Sequence, residues 1–392
     1  MKLSTKILSL ALALVMIVCA ISLTSCNGED HPAADNEKIK IGLTGPLTGG
    51  ASIYGIAVKN AAQLAVDEIN AAGGLDGIQF ELVMYDDKHD ATTVETLYAK
   101  LYEEGMQASL GTVTTKPGLE FKTFAKEDNV FFLTPSATGD AIPEFANGYQ
   151  MCFADSNQGT AAAKFFNENY AGKKIGVFYK SDDEYSVGIY NNFKANLDKS
   201  FGDISATTAS FTGEASTFDS QIQLLKDCEV VFMPIYYTPA SAFMTQAKDK
   251  VAANATYYGC DGFDGIESAE GFDITTIPQK VSMLSHFNSK ATDGKAGEFI
   301  TKYTEKYGKD TLNQFGASAY DCVYAIFNAM KAAIDAGKDI TPAISASDLC
   351  EILKEQFNGG FSYSGATGDN IKWQSTGYVD KQAIAFTIKE AN

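Results

Sequence analysis

Hydrophobic and polar positions alternate along the chain with two different spacings. Short apolar runs at 39–43, 80–85 and 230–236 predict buried strands. Between such runs, apolar residues recur at helical spacing, as from Tyr54 to Ile69, where the following glycines end the helix. Further strands are predicted at 108–113, 130–133, 175–179, 206–211 and 257–259, and further helices at 91–104, 118–128, 185–200, 217–226 and 239–252. This alternation predicts parallel sheets covered by helices on both faces.

The strand–helix pattern occurs twice, so we predict an α/β fold with two doubly wound parallel-sheet domains. From residue 281 the chain returns to one more strand, then to helices at 295–307, 314–336 and 348–356, and finally to a β segment at 361–388. In open parallel sheets a ligand lies beyond the carboxyl ends of the strands. With two such domains, we expect the binding site in the cleft between them.

The first 26 residues have the order of a secretory signal peptide. Two lysines precede an uncharged apolar run at 7–23, and a Leu-Thr-Ser-Cys sequence ends at Cys26. This ending looks like the lipobox of bacterial lipoproteins, which implies cleavage before Cys26, acylation of its thiol and attachment outside the cytoplasmic membrane. We therefore predict a signal peptide at 1–25 and an acidic tether at 26–37. An ordinary signal peptide and a retained anchor helix are the alternatives.

Composition limits the partners of the chain. It carries 49 acidic residues against 31 basic ones, a formal net charge of −18. This charge argues against nucleic acid, because phosphates require Lys and Arg. Every one of the 31 basic residues is lysine. Without a guanidinium fork, an anionic ligand group must be held by lysine, hydroxyl or backbone N–H groups.

Three loops after predicted strands carry candidate ligand groups. Residues 112–117 and 134–139 each join a strand to a helix and contain several Ser and Thr. Hydroxyls and free N–H groups at a helix N-terminus form an anion site without arginine, so two adjacent loops favour a shared carboxylate site. Helix capping is the alternative for each loop. In the loop at 259–263, Asp261 could accept hydrogen bonds from an ammonium group, and a plain turn is the alternative.

Five segments spread along the chain share one pattern. They are 39–49 (IKIGLTGPLTG, followed by Tyr54-Gly55), 70–77 (NAAGGLDG), 85–87 (YDD), 134–138 (TPSAT) and 361–368 (FSYSGATG). The pattern resembles that of the branched-chain amino-acid-binding proteins of ABC transporters, which are type I periplasmic binding proteins. The resemblance covers essentially the whole chain after the tether. It implies an N-terminal lobe at 38–154 and 286–360 and a C-terminal lobe at 155–285 and 361–392, joined by three crossovers near 154, 285 and 361.

The resemblance also implies a set of ligand contacts. The family's α-carboxylate site falls on the hydroxyl-rich loops, and its ammonium acceptor falls on Asp261. The family's cleft aromatics fall on three tyrosines, each of which would otherwise be interpreted as core packing. The ligand-binding residues predicted in this way are Tyr54, Thr112, Val113, Thr114, Thr115, Ser136, Ala137, Thr138, Tyr185, Tyr236 and Asp261.

The chain departs from the family pattern at two places. The leucine-type proteins have a disulfide between the loop after the second strand and the carboxylate loop, and the corresponding residues here are His89 and Val113. The ammonium acceptor is Asp261 instead of the usual glutamate, which is one methylene longer. Both differences bear on the position and identity of the ligand.

Enzyme and metal sites find little support in the sequence. The three histidines, His31, His89 and His286, lack the neighbours of a catalytic triad or a metal site. The acidic run at 86–90 could hold a metal ion, although a solvated turn explains it. The glycines at 42–50 lack the Gly-Lys-Ser/Thr of a phosphate loop. We predict no catalytic residue, no metal and no cofactor.

The resemblance implies an extracytoplasmic, lipid-anchored substrate-binding protein of an ABC importer. It further implies an amino-acid ligand with a branched or other apolar side chain, an ABC permease as partner and attachment to the membrane through the lipid. We also expect a monomer that binds no nucleic acid. The alternatives are a receptor for another small carboxylate or amide and the ligand-sensing lobe of a signalling system.

Overall fold

Two sheets of mainly parallel strands form the framework of the chain, which the computed structural model describes over residues 36–391. The predicted signal peptide, Cys26, His31 and most of the predicted tether lie outside these residues. The strands of the first sheet are Ile39–Gly45 (β1), Phe80–Asp86 (β2), Ala108–Ser109 (β3), Phe131–Thr134 (β4) and Gly148–Gln150 (β5). Their spatial order is β2–β1–β3–β4–β5, and every neighbouring pair is parallel.

The second sheet has six strands in a similar arrangement. They are Ile175–Lys180 (β6), Thr208–Phe211 (β7), Val230–Met233 (β8), Thr256–Gly259 (β9), Lys280–Ser285 (β10) and Ile384–Lys389 (β13). The strands Tyr363–Gly365 (β11) and Gly368–Ile371 (β12) form a separate antiparallel hairpin. The order is β13–β10–β9–β8–β6–β7, and only the β10–β13 pair is antiparallel. The prediction of an α/β fold with two parallel sheets is confirmed.

Ten helices of the described residues cover these sheets. They are Ser52–Ala71 (α1), Val94–Glu103 (α2), Thr115–Glu127 (α3), Asp155–Asn169 (α4), Glu184–Asn196 (α5), Asp219–Leu225 (α6), Tyr237–Ala247 (α7), Gly294–Tyr307 (α8), Gln314–Asp335 (α9) and Ala346–Asn358 (α10). The sequence pattern predicts all of them except α4, whose buried positions are mostly small or polar residues that give no clear apolar stripe.

Strand β3 is shorter than the sequence predicts, and the prediction of a strand at 110–113 is wrong. Ser109 Oγ donates to Gly42 O (2.9 Å) and accepts from Gly111 N (2.8 Å). The backbone still bonds to β1 through Gly111 O, which accepts from Thr44 N (3.1 Å). Gly111 has a φ of +64°, which only glycine adopts readily, and the chain leaves the sheet after it. The residues that follow therefore form a loop at the carboxyl edge of the sheet.

A close backbone contact fixes the start of α1 against the end of β1. A Cβ at Gly55 would lie 1.9 Å from the carbonyl oxygen of Pro46, so no larger residue fits there. The contact sets the position of Tyr54, which is 1% exposed. Helix α1 then packs against α9.

The chain passes between the two sheets three times. The first passage joins β5 to α4, which packs against α5. The second follows β10, after which α9 packs on α1 and α10 on β4. Before the third passage, Trp373 Nε1 donates to Gln150 O (2.8 Å) and Gln150 N donates to Gly377 O (3.0 Å). The lobe boundaries stay predictions, and these contacts lead us to propose a third crossover nearer to β13 than to 361.

A buried carboxylate attaches the β11–β12 hairpin to α9. Asp321 Oδ1 accepts hydrogen bonds from Tyr363 Oη (3.1 Å) and Ala366 N (2.8 Å). Asp321 Oδ2 accepts from the N–H (2.7 Å) and the hydroxyl (2.5 Å) of Thr367. Asp321 is fully buried, so all four donors depend on it for their hydrogen bonds.

Replacing Asp321 by alanine should lower the free energy of unfolding by about 3 kcal/mol, because buried donors lose their acceptor. Urea unfolding of the soluble protein measures this change. Asp335→Ala, at the exposed end of the same helix, is the control and should stay within about 0.5 kcal/mol of the wild type. Equal stabilities of Asp321→Ala and wild type would contradict the assigned role.

Candidate functional site

The carboxyl ends of β3 and β4 meet where two loops present hydroxyl groups. Thr114 is the N-cap of α3, so the first N–H groups of this helix point out of the same loop. Thr134, at the end of β4, donates from Oγ1 to Thr112 O (2.9 Å). Gly139 N donates to Thr115 Oγ1 (3.2 Å). These bonds hold the two hydroxyl-rich loops side by side.

Acidic and aromatic groups face these loops from the second sheet. Asp261 follows β9, Tyr185 lies in the first turn of α5, and Tyr236 is the N-cap of α7. The rings of Tyr185 and Tyr236 stack, with centroids 4.6 Å apart and 8° between their planes. The ring of Tyr236 also lies 5.9 Å from that of Tyr54. The three predicted tyrosines thus form one cluster.

Hydrogen bonds join the two halves around a small cavity. Tyr54 Oη donates to Gly262 O (2.5 Å) and accepts from Tyr237 N (3.2 Å). Thr238 Oγ1 donates to Gly50 O (2.6 Å). The cavity between the halves has a volume of about 10 Å³ for the centre of a water molecule, which is room for about one water. The two halves therefore lie close together in this conformation.

Nine of the eleven predicted ligand-binding residues line the cavity. They are Tyr54, Val113, Thr114, Thr115, Ser136, Thr138, Tyr185, Tyr236 and Asp261. The other two lie behind the wall. Thr112 Oγ1 donates to the carbonyl oxygen of Thr114 (3.2 Å), and Ala137 packs in an apolar cluster with Phe121 and Ile142.

Two further residues, Gly262 and Phe315, line the cavity and were not predicted. Gly262 adjoins Asp261, so the sequence signal that could have identified it was its place in the candidate loop at 259–263. Phe315 lies in the first turn of α9, after no strand end and within no binding motif. Its ring lies 5.0 Å from that of Tyr54, a contact that depends on the packing of α9 against α1.

Asp261 is held by hydrogen bonds from two helices. Tyr185 Oη donates to Oδ1 (2.6 Å), and Gln158 Nε2 donates to Oδ2 (3.0 Å). The backbone N–H of Asp261 in turn donates to Gln158 Oε1 (3.2 Å). Burial raises the pKa of Asp261 to about 7, and the two side-chain hydrogen bonds oppose that rise. Sequence reasoning misses Gln158, because it lies on the unpredicted helix α4.

The opposite side of the cavity carries neutral hydrogen-bond donors. None of the described residues that line the cavity is a lysine. The hydroxyls of Thr114, Ser136 and Thr138 are present there, with the N-terminus of α3. The cavity therefore has one end that can accept hydrogen bonds from a cation and another that can donate them to an anion.

The acidic run at 86–90 is engaged in local hydrogen bonds. Asp86 accepts from Leu47 N (2.8 Å) and Thr48 Oγ1 (2.6 Å), and Asp90 accepts from Thr92 N (2.9 Å). Within residues 36–391, no group of three or more His, Cys, Asp or Glu side chains is placed to hold a metal ion. The hydrogen bonds support a turn, but the expectation that this turn is solvated is wrong at Asp87, which is fully buried and accepts from His89 N (2.9 Å).

The sequence and fold of this chain are similar to those of known proteins. A sequence model of the family described as periplasmic binding protein matches residues 38–391. The Leu/Ile/Val-binding protein BraC3 of Rhizobium johnstonii is 30% identical over 233 residues, which make up 58% of this chain. The aligned stretch spans 63% of that relative, which is less than two thirds of its length.

Solved structures share the fold over nearly the whole described chain. LivJ, the branched-chain amino acid transporter substrate-binding protein of Streptococcus pneumoniae in complex with isoleucine, has a TM-score of 0.76 at 25% identity and covers 90% of this chain and 99% of its own. A solute-binding protein of an ABC transporter from R. palustris in complex with benzoate has a TM-score of 0.76 at 18% identity, covering 90% and 93%. The predicted type I periplasmic binding protein fold is confirmed.

The raised pKa of Asp261 predicts a specific pH dependence of stability. The unfolded carboxyl group ionises near its ordinary pKa of 3.8, whereas the folded one keeps its proton up to about pH 7. Between pH 3.8 and about pH 7, the folded state therefore binds one proton at Asp261 that the unfolded state has lost. The contribution of Asp261 to the free energy of unfolding falls as pH rises through this range, by at most about 1.4 kcal/mol per pH unit. Asp261→Asn should remove this contribution. The free energy of unfolding of the variant, relative to that of the wild type, should therefore increase from pH 5 to pH 7.

Urea unfolding without ligand at several pH values measures this difference. Burial lowers the pKa of His89 to about 4, so this residue makes the free energy of unfolding rise with pH, opposite to the effect of Asp261. The contribution of His89 is common to both proteins and cancels in the difference between Asp261→Asn and the wild type. The exposed Asp249→Asn is the control and should follow the wild-type curve. Parallel curves for Asp261→Asn and the wild type would show that Asp261 does not titrate in this window.

Proposed function

We propose that this chain, which belongs to the periplasmic binding protein family, captures a small apolar amino acid in the cavity between its two sheets and delivers it to an ABC permease. The chain is a binding protein rather than an enzyme, as its relatives are. The observation that carries the proposal is the polarity of the cavity. A buried carboxylate lies at one end, and neutral donors lie at the other. An amino-acid zwitterion has the complementary pair of charges.

In the proposed complex, the ligand carboxylate binds to the hydroxyl-rich loops and to the N-terminus of α3. The ammonium group donates to Asp261, whose carboxylate has acceptor capacity beyond its hydrogen bonds from Tyr185 and Gln158. Val113, Phe315 and the tyrosine rings surround the remaining space. These groups leave no charge for the end of the ligand side chain, which favours an apolar residue. The names of relatives that bind leucine, isoleucine and valine support the same choice.

We further propose that binding proceeds by closure of two lobes, at 38–154 with 286–360 and at 155–285 with the end of the chain. The ligand would dock first on the hydroxyl-rich loops, and closure would bring Asp261, Tyr185 and Tyr236 over it. The bonds from Tyr54 to Gly262 and from Thr238 to Gly50 would form in this step. Such a motion shifts an equilibrium between open and closed forms, and the permease would recognise the closed one.

A small carboxylate without an amine is the second candidate ligand. The aromatic lining of the cavity and the benzoate bound to a neighbour in fold favour it. Against it, such a ligand would leave Asp261 without a cationic partner in a buried site, which is costly if the carboxylate is ionised. A ligand-sensing role would use the same cavity and would require a signalling partner.

The amino-acid proposal is tested with protein that lacks residues 1–25 and carries Cys26→Ser. Native mass spectrometry identifies any molecule that co-purifies, and a thermal-shift panel of the common amino acids and benzoate identifies stabilising ligands. We expect leucine, isoleucine or valine to raise the melting temperature, because a ligand that binds only the folded state stabilises it. Stabilisation by benzoate alone would overturn the amino-acid assignment.

The same ligand then serves to test Asp261. Calorimetry with Asp261→Asn should show about 10- to 150-fold weaker binding, since a hydrogen bond to a charged group contributes about 1.5–3 kcal/mol. Asp249→Asn, on the surface, is again the matched control and should bind like the wild type. Unchanged affinity of Asp261→Asn would remove this residue from the site.

We also propose that the protein is held outside the cytoplasmic membrane by lipid on Cys26, and that it acts as a monomer. The lipobox-like sequence at 23–26 supports the anchor. Within residues 36–391, no helix combines the length and apolar character needed to cross a membrane. Expressed in full length in a bacterial host, the wild type should fractionate with membranes and carry a diacylated Cys26 at its N-terminus. Cys26→Ser should lose both properties, and a soluble, unacylated wild type would contradict the proposal.

A further inference from the structure

His89 joins the two ends of the proposed ligand site. Its Nδ1 atom lies 2.8 Å from Thr114 Oγ1, in the loop proposed to bind the ligand carboxylate. Its ring packs edge-on against Tyr236, with centroids 5.2 Å apart and 81° between the planes. Tyr236 stacks on Tyr185, which donates to Asp261. A continuous series of contacts thus runs from the donor end of the cavity to its acidic end.

The loop that carries His89 is fixed independently of any ligand. The backbone N–H of His89 donates to Asp87 Oδ1 (2.9 Å), and Asp87 is fully buried. His89 itself has a φ of +62°, an uncommon backbone conformation for a residue other than glycine. The imidazole is therefore presented to Thr114 by a rigid turn.

We propose that His89 is a positioning residue, which donates from Nδ1 to Thr114 Oγ1 and leaves the Thr114 hydroxyl proton free to face the ligand carboxylate. The inference rests on the proposed function, because it assigns an anionic group to this end of the cavity. His89 does not itself line the cavity and acts through Thr114.

The chemistry of the hydroxyl group decides which imidazole tautomer is useful. A threonine hydroxyl has one proton and two lone pairs. If Nδ1 were the acceptor, the Thr114 hydroxyl would donate its proton to His89. Its lone pairs would then face the oxygens of the ligand carboxylate, and the two would repel each other. If Nδ1–H is the donor, the proton of Thr114 is free for the carboxylate. An anionic ligand therefore selects the Nδ1–H tautomer.

The charged groups around His89 are consistent with a neutral ring. Burial lowers the pKa of His89 to about 4, and Lys180 and Lys116 act in the same direction. Glu214 and Asp90 oppose this shift. The ring therefore acts at neutral pH through the position of its single proton and not through a full positive charge.

A double-mutant cycle tests the proposal, with isoleucine and isoleucinol as probes. Isoleucinol keeps the amine and the side chain but lacks the carboxylate. His89→Ala should weaken isoleucine binding about tenfold and isoleucinol binding less than threefold. His89→Asn should stay within about threefold of the wild type, because the asparagine amide nitrogen takes the place of Nδ1. Thr114→Val removes the hydroxyl without removing a cap, since Thr114 makes no side-chain capping bond.

The decisive comparison is His89→Ala in the Thr114→Val background. If His89 acts through the Thr114 hydroxyl, the second change should have no further effect on isoleucine affinity. Nitrogen-15 spectra of the wild-type imidazole should show Nδ1 protonated and Nε2 unprotonated when isoleucine is bound. Fully additive losses, equal losses for both probes, or an Nε2–H tautomer in the complex would each overturn the proposal.

The two proposals fail in distinguishable ways. A wild-type protein that binds none of the common amino acids overturns the proposed function, and this inference with it. Tight isoleucine binding by the wild type together with unchanged binding by His89→Ala overturns the inference alone.

Discussion

The buried carboxylate of Asp261 imposes a requirement that several elements of the second half of the chain meet together. An ionisable group removed from water needs hydrogen bonds, and these come from Tyr185 on α5 and Gln158 on α4. The ring of Tyr185 stacks on Tyr236, and the ring of Tyr236 packs near Tyr54 of the first half. The carboxylate is therefore connected through Tyr185 to the aromatic wall of the cavity, and through Tyr236 to the first half of the chain.

The cavity is polarised without a pair of opposite charges. One end carries a carboxylate, whereas the other carries hydroxyls and the N-terminus of α3, and no lysine lines it among the described residues. The chain contains no arginine, so in the proposed site fixed dipoles would take the place of a guanidinium group. Dipoles favour an anion only when they are correctly oriented. In the proposed complex, the contacts that orient them, such as the one between His89 and Thr114, would therefore contribute to binding together with the groups that touch the ligand.

Most elements of the fold follow from local sequence, and the exceptions have identifiable causes. Strands such as β1 and β8 are short apolar runs, and α1 has an apolar stripe that ends at two glycines. Helix α4 escapes prediction because small and polar residues fill its buried face against α5. Strand β3 is shorter than its apolar run because Ser109 and Gly111 turn the chain out of the sheet.

The sequence by itself determined the alternation of strands and helices, the family resemblance and most of the residues that line the cavity. These depend on residues close together along the chain, such as a strand end with its hydroxyl-rich loop. Only the tertiary structure decided that Phe315 enters the cavity, that Gln158 holds Asp261 and that His89 contacts both Thr114 and Tyr236. Each of these contacts joins residues far apart in sequence. Their geometry depends on how α4, α9 and the loop after β2 pack against the rest of the chain, and that packing cannot be predicted from any local sequence pattern.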